Sequence, residues 1–126
     1  MTGKELFSIS LDLLGIKMPD GTIPQTAFDL QSRALPLINI LLNQNAKLES
    51  LIKKIDTPPI RILTLDDTLK ISDKIANRSL PFGLAAMLIS TEDNVLAGYM
   101  HTQYITETMN IKSELPATLS SITKIY

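Results

Sequence analysis

The pattern of apolar and polar positions predicts helices along most of the chain. Between Arg78 and Glu92 no charged residue interrupts a stretch that is apolar almost throughout. Pro81 lies near its start, where a helix can begin without losing a hydrogen bond. A helix that is apolar on every side must be covered on every side. We therefore expect this helix at the centre of a bundle or at a surface shared with another copy of the protein.

The N-terminal stretch has the pattern of a capped helix. Thr2 followed three residues later by Glu5 is a capping box, and Gly15 suits a left-handed C-cap. Apolar residues follow at helical spacing, at Leu6, Ile9, Leu13 and Ile16. The pattern therefore predicts a helix from Gly3 to Leu14.

A second helical pattern begins at Pro24 and Thr26 and continues through Lys54, before Pro58-Pro59 stops it. Pro36 lies inside this pattern, where it removes a backbone donor and clashes with the preceding turn, so we expect a kink or a break there. Four polar side chains of this helix either line a groove or a subunit contact, or face water: Asn39, Asn43, Gln44 and Asn45.

The next segment has a weaker pattern. Residues 60–65 alternate weakly and include β-branched side chains, which favours a short strand paired with 119–126 or with a neighbouring subunit. Asp66-Asp67 is expected to cap a turn, Ser72-Asp73 to start a short helical piece, and Ser79 to cap the apolar helix.

The last main helix is expected to begin at a cap formed by Asp93 or Asn94 and to fade around Asn110. One stripe of this helix contains Leu96, Met100 and Tyr104, and a neighbouring set contains Val95, Tyr99 and Ile105.

Together these elements predict an all-α fold, a small bundle of about four to five helices with short extended segments near 60–65 and at the C-terminus. The length fits one domain over 1–126, with about 113–126 as a candidate contact tail. The predicted core residues are Leu37, Leu41, Leu80, Phe82, Leu84, Met87, Leu88, Leu96, Met100 and Tyr104. The candidate partner-contact residues are Ile60, Ile62, Leu65, Ile122, Ile125 and Tyr126.

Composition narrows the function classes. The chain is 44% hydrophobic and 20% charged, which is typical of an ordered domain, and its few aromatic residues leave Leu, Ile, Ala and Met to build the core. A net charge of -1 is unlike the basic excess of a dedicated nucleic-acid binder. The absence of cysteine excludes thiolate chemistry and zinc–thiolate sites. We expect a soluble cytoplasmic product without a signal peptide.

Few residues suggest chemistry. His101 is the only histidine, and no serine lies in a nucleophile-elbow pattern, so we predict neither a catalytic nor a cofactor-binding site. The acidic residues at 66–67, 73 and 92–93 lack calcium-loop spacing and are better explained by turns and caps, so no metal site is predicted. Gly83 and Gly98 lie inside helical patterns, which favours close helix–helix approach.

Two stretches carry a family resemblance. Residues 33–42 and residues 71–88, the latter containing Leu80-Pro81-Phe82-Gly83, are followed by Glu92-Asp93 and by the helix that carries Tyr99 and Tyr104. With the closing residues 122–126, they resemble the head–tail connector (neck adaptor) proteins of tailed phages and prophages of Gram-positive bacteria. The resemblance covers most of the chain from about residue 26 onward, and its motifs are packing motifs.

The resemblance implies a non-enzymatic virion protein, made in the host cytoplasm and placed in the neck. Such adaptors form a homo-oligomeric ring, commonly of twelve copies, under the portal protein. The ring extends the DNA channel without sequence-specific binding and docks the next neck, tail or head-completion protein. No cofactor and no membrane partner is implied.

Two other function classes stay open at this point. A helical regulatory or DNA-binding module would use the short element at 72–78, a turn and the following helix, although that helix is too apolar to read bases. A small enzyme would need a convergent pocket with a perturbed carboxylate.

Overall fold

The computed structural model describes residues 1–17, 19–56 and 61–116. The fold is all-α, and the described residues form a small bundle of five α-helices: α1 (Gly3–Leu14), α2 (Phe28–Gln44), α3 (Ala46–Lys53), α4 (Leu80–Ile89) and α5 (Asn94–Glu114). A 3₁₀ turn (Gln25–Ala27) precedes α2, and a π-helical turn (Ile75–Ser79) precedes α4. The described residues contain no strand, only one isolated antiparallel bridge between Thr2 and Thr68.

Helix α1 is capped as its sequence predicts. The Thr2 hydroxyl accepts a hydrogen bond from the Glu5 backbone N–H at 3.1 Å, which satisfies one of the free donors of the first turn. Gly15 closes the helix in the left-handed conformation, with φ 69°. The predicted bounds, Gly3 to Leu14, are confirmed.

Of the kink or break predicted at Pro36, the break is wrong, because α2 continues through this residue to Gln44, and the kink stays a prediction. Pro36 and Ser32 are both exposed, so water can hydrate the Ser32 carbonyl that loses its donor. The helix breaks instead at Asn45, which is 1% exposed. The Leu41 carbonyl accepts both the Asn45 side chain at 2.8 Å and the Asn45 backbone N–H at 3.1 Å.

The predicted strand is also wrong over its described part, because 61–65 form a loop. Asn39 holds this loop by exchanging two hydrogen bonds with the backbone of Ile62, at 2.8 Å to its N–H and 3.0 Å to its carbonyl. The Asp67 carboxylate accepts from the N–H groups of Leu63 and Thr64, as a turn cap does. Side chains therefore satisfy the backbone groups that a second strand would have paired.

The helix that contains α4 begins earlier than predicted. It starts at Asp73 and runs through the π turn without interruption, so Ser79 is not an N-cap. Its buried hydroxyl instead donates to the Ile75 carbonyl at 3.2 Å. The wider turn lies directly before Pro81, whose ring would clash with the carbonyl four residues earlier in a regular α-helix.

Helix α4 occupies the centre of the fold and packs against α1, α2 and α5. Eight of its ten residues are buried: Leu80, Pro81, Gly83, Leu84, Ala85, Ala86, Leu88 and Ile89. A helix this apolar on all sides needs neighbours on all sides, which the other helices provide. Of the two locations expected for it, the centre of the bundle is the one observed.

Candidate interaction surface

Helix α5 carries two apolar seams on opposite sides, and only one of them is used inside the bundle. The inner seam packs on the core and contains Leu96, Met100, Tyr104 and Ile111. The outer seam consists of exposed residues spaced alternately by three and four: Val95, Gly98, Thr102, Ile105 and Met109. A surface helix of a globular protein usually has one apolar stripe. Spacing of three and four places side chains along one line, as in helices that pack on another helix.

The outer seam is exposed to a degree that is unusual for its composition. Val95 is 85% exposed, Met109 64% and Ile105 43%, and Tyr99 beside them is 59% exposed. Together these side chains expose on the order of 500 Å² of surface, which reaches the size of the largest apolar patch on a typical monomer. Patches of this size commonly mark interaction sites.

The surface carries almost no charge. Residues 94–106 contain no Asp, Glu, Lys or Arg, and His101 is the one titratable side chain except for the tyrosines. Asp93, immediately before the helix, accepts a hydrogen bond from the Leu96 N–H at 3.0 Å and serves as the N-cap. A partner can therefore cover the seam without stranding a buried charge.

A groove of about 490 Å³ runs along one flank of α5. It is lined by residues from three helices, namely Leu37 from α2, Ala86, Met87 and Ser90 from α4, and Ala97, Gly98 and His101 from α5. The lining is mostly apolar and mostly small. The His101 ring also lies near Tyr104, with the ring centroids 6.2 Å apart.

The two helical glycines differ in what surrounds them. A Cβ atom on Gly83 would lie 2.9 Å from Leu41 Cδ2 and 3.0 Å from Tyr104 Cδ1, so this position lets two helices approach closely. A Cβ on Gly98 would meet nothing within 4 Å. Glycine inside a helix costs about 1 kcal/mol relative to alanine. Close packing of the helices around Gly83 offsets this cost. Nothing in the monomer packs against Gly98, so the cost is not offset there.

The far end of α5 is fixed by ion pairs. The Arg78 guanidinium contacts Glu114 through two nitrogens, at 2.9 and 2.8 Å, and Glu107 through Nε at 3.1 Å. Lys74 adds a contact to Glu114 at 3.6 Å. The hydrogen bonds from Arg78 lower the pKa of Glu114, and the same bonds raise the pKa of Arg78. They connect the π turn to α5 and hold the seam in one orientation.

A buried polar cluster fixes the inner side of α5. Asn45 donates to the Tyr104 hydroxyl at 2.9 Å, and that hydroxyl donates to Gln44 Oε1 at 3.2 Å. Burial raises the pKa of Tyr104. Nearby, the buried carboxylate of Glu49 accepts from the N–H and the hydroxyl of Ser72 and lies 3.3 Å from Lys53 Nζ.

The polar residues of the second helix are therefore mostly structural. Asn39 and Asn45 bind neighbouring elements, Gln44 accepts from Tyr104, and only Asn43 faces water without a contact of this kind. Among the residues that the structure describes, no group of three or more His, Asp or Glu is placed to hold a metal ion.

The predicted core residues fall into two groups. Six are buried: Leu41, Leu80, Leu84, Leu88, Met100 and Tyr104. Four are partly buried and pack against the core: Leu37, Phe82, Met87 and Leu96. Leu37 and Met87 also line the groove, so they contribute to both the core and the surface.

Two of the six candidate contact residues lie in the described part of the chain. Ile62 is 3% exposed and belongs to the core, and Leu65 is partly buried against it, so neither stands free for a partner. Ile60 and the C-terminal candidates Ile122, Ile125 and Tyr126 lie outside the described residues. The sequence pattern places Val95, Tyr99 and Ile105 together beside the core stripe, but it does not identify the outer seam as a contact surface.

Comparisons of the chain with models of known protein families, with curated proteins and with solved structures gave no match. Across 1–17, 19–56 and 61–116, no helix is both long enough and apolar enough to cross a membrane.

Proposed function

We propose that this protein is a non-enzymatic structural protein of a tailed phage or prophage, a head–tail connector that acts by assembling with copies of itself and with the portal. The observation that carries the proposal is the outer seam of α5. It is a second, exposed line, with apolar side chains at Val95, Ile105 and Met109, on a helix whose first line is already packed. The sequence resemblance to neck adaptors supplies the biological setting.

The surface suits assembly better than catalysis. The groove is lined by apolar side chains, Gly98, one serine and one histidine, and no carboxylate is among its lining residues. The near-neutral chain also suits a channel wall past which DNA slides, because a strongly basic wall would hold DNA through counterion release. As a connector, the protein would extend that channel under the portal and dock the next neck or tail component.

The rival hypothesis, a helix-turn-helix module, is not favoured by the geometry. Residues 73–89 form one continuous helix, so the turn that such a module needs is missing between the two expected elements. The helix that would read bases is α4, and it is buried.

Where a portal gene lies beside this chain's gene, co-expression with that portal protein tests the proposal. We expect the chain to co-purify with portal rings through size-exclusion chromatography and to add a layer of density to one face of the ring in electron micrographs. A chain that never accompanies the portal, while the portal alone forms rings, contradicts the proposed function. A gene with no portal, capsid or tail genes around it contradicts it as well.

A further inference from the structure

We draw no further inference here: the strongest candidate, the exposed face of α5 on which the outer seam continues into the groove beside Gly98, carries nothing beyond the proposed function, because nothing in the structure shows what covers it.

Discussion

The ring of Tyr104 lies against the backbone of Gly83 so closely that a methyl group on Gly83 would sit 3.0 Å from Tyr104 Cδ1. This contact joins α5 to the central helix and directs the inner seam into the core. It also fixes the outer seam on the opposite side, toward solvent. One close approach between two helices thus determines which face of α5 is available to a partner.

Gly83→Ala should destabilise the fold. The added methyl would meet both Leu41 and Tyr104 at about 3 Å, and overpacking of this kind costs about 1–3 kcal/mol. The better helix propensity of alanine returns at most about 1 kcal/mol. We expect the free energy of unfolding in urea to fall by about 1 kcal/mol, and a rise would show that the two helices can separate at no cost.

Gly98→Ala should have the opposite effect on the monomer. Nothing within 4 Å would meet the added methyl, so the gain in helix propensity, up to about 1 kcal/mol, is not offset. The same urea titration, run on dilute monomer, measures it. Equal effects at Gly83 and Gly98 would contradict the different surroundings described for the two glycines.

Asn39→Ala should free the loop at 61–65, which follows α3 in the chain. The substitution removes both hydrogen bonds to Ile62 and leaves partly buried backbone groups unpaired, which costs about 1–3 kcal/mol. Asn43→Ala, on the same helix but exposed, is the control and should change the free energy of unfolding by less than about 0.5 kcal/mol. Amide hydrogen exchange should also speed up at Ile62 in Asn39→Ala alone. Similar free energies of unfolding for the two variants would show that the hydrogen bonds between Asn39 and Ile62 contribute nothing to stability.

The free energy of unfolding should fall in acid partly because the Glu114 carboxylate becomes protonated. Because hydrogen bonds from Arg78 lower its folded-state pKa below the ordinary 4.5, the unfolded chain takes up the proton first. The stabilising contribution of the Glu114 carboxylate is therefore complete above pH 4.5. It is lost as the pH falls through the lower pKa that Glu114 has in the folded state. Glu114→Gln should be less stable than wild type at neutral pH, and the difference should shrink below pH 4.5. A difference that stays constant with pH would contradict this assignment.

Local signals in the sequence were sufficient for some elements. The Thr2 cap and Gly15 predicted the bounds of α1, and the pair Asp93-Asn94 predicted the start of α5, because such caps act through hydrogen bonds within a few residues. The apolar run after Leu80 predicted a helix covered on every side, since its composition alone requires burial, but it left open whether the bundle or another copy covers it.

Other elements depend on contacts between distant residues. The break at Asn45 involves Tyr104, 59 residues away, and the loop at 61–65 depends on Asn39, so neither can be inferred from neighbouring positions. The strand prediction failed because a side chain, rather than a second strand, bonds the backbone of Ile62. The π turn was missed because the sequence before Pro81 resembles an ordinary helix start.

The outer seam was only partly visible in the sequence. The stripe with Leu96, Met100 and Tyr104 was predicted as core, but periodicity does not show that the second apolar set stays exposed. The distinction comes from the fold, where Gly83 and the Asn45 cluster hold Tyr104 inward and leave Val95 exposed.

Thiol accessibility tests the central claim, that the outer seam of α5 is buried when this protein assembles. The chain has no cysteine, so Thr102→Cys on the seam and Leu63→Cys in the distant loop each introduce a single thiol. The rate of maleimide labelling would be measured for dilute monomer and for the assembled protein. We predict that assembly slows labelling of the Thr102→Cys variant several-fold and leaves the Leu63→Cys variant unchanged. Equal labelling of the Thr102→Cys variant in both states would contradict the account.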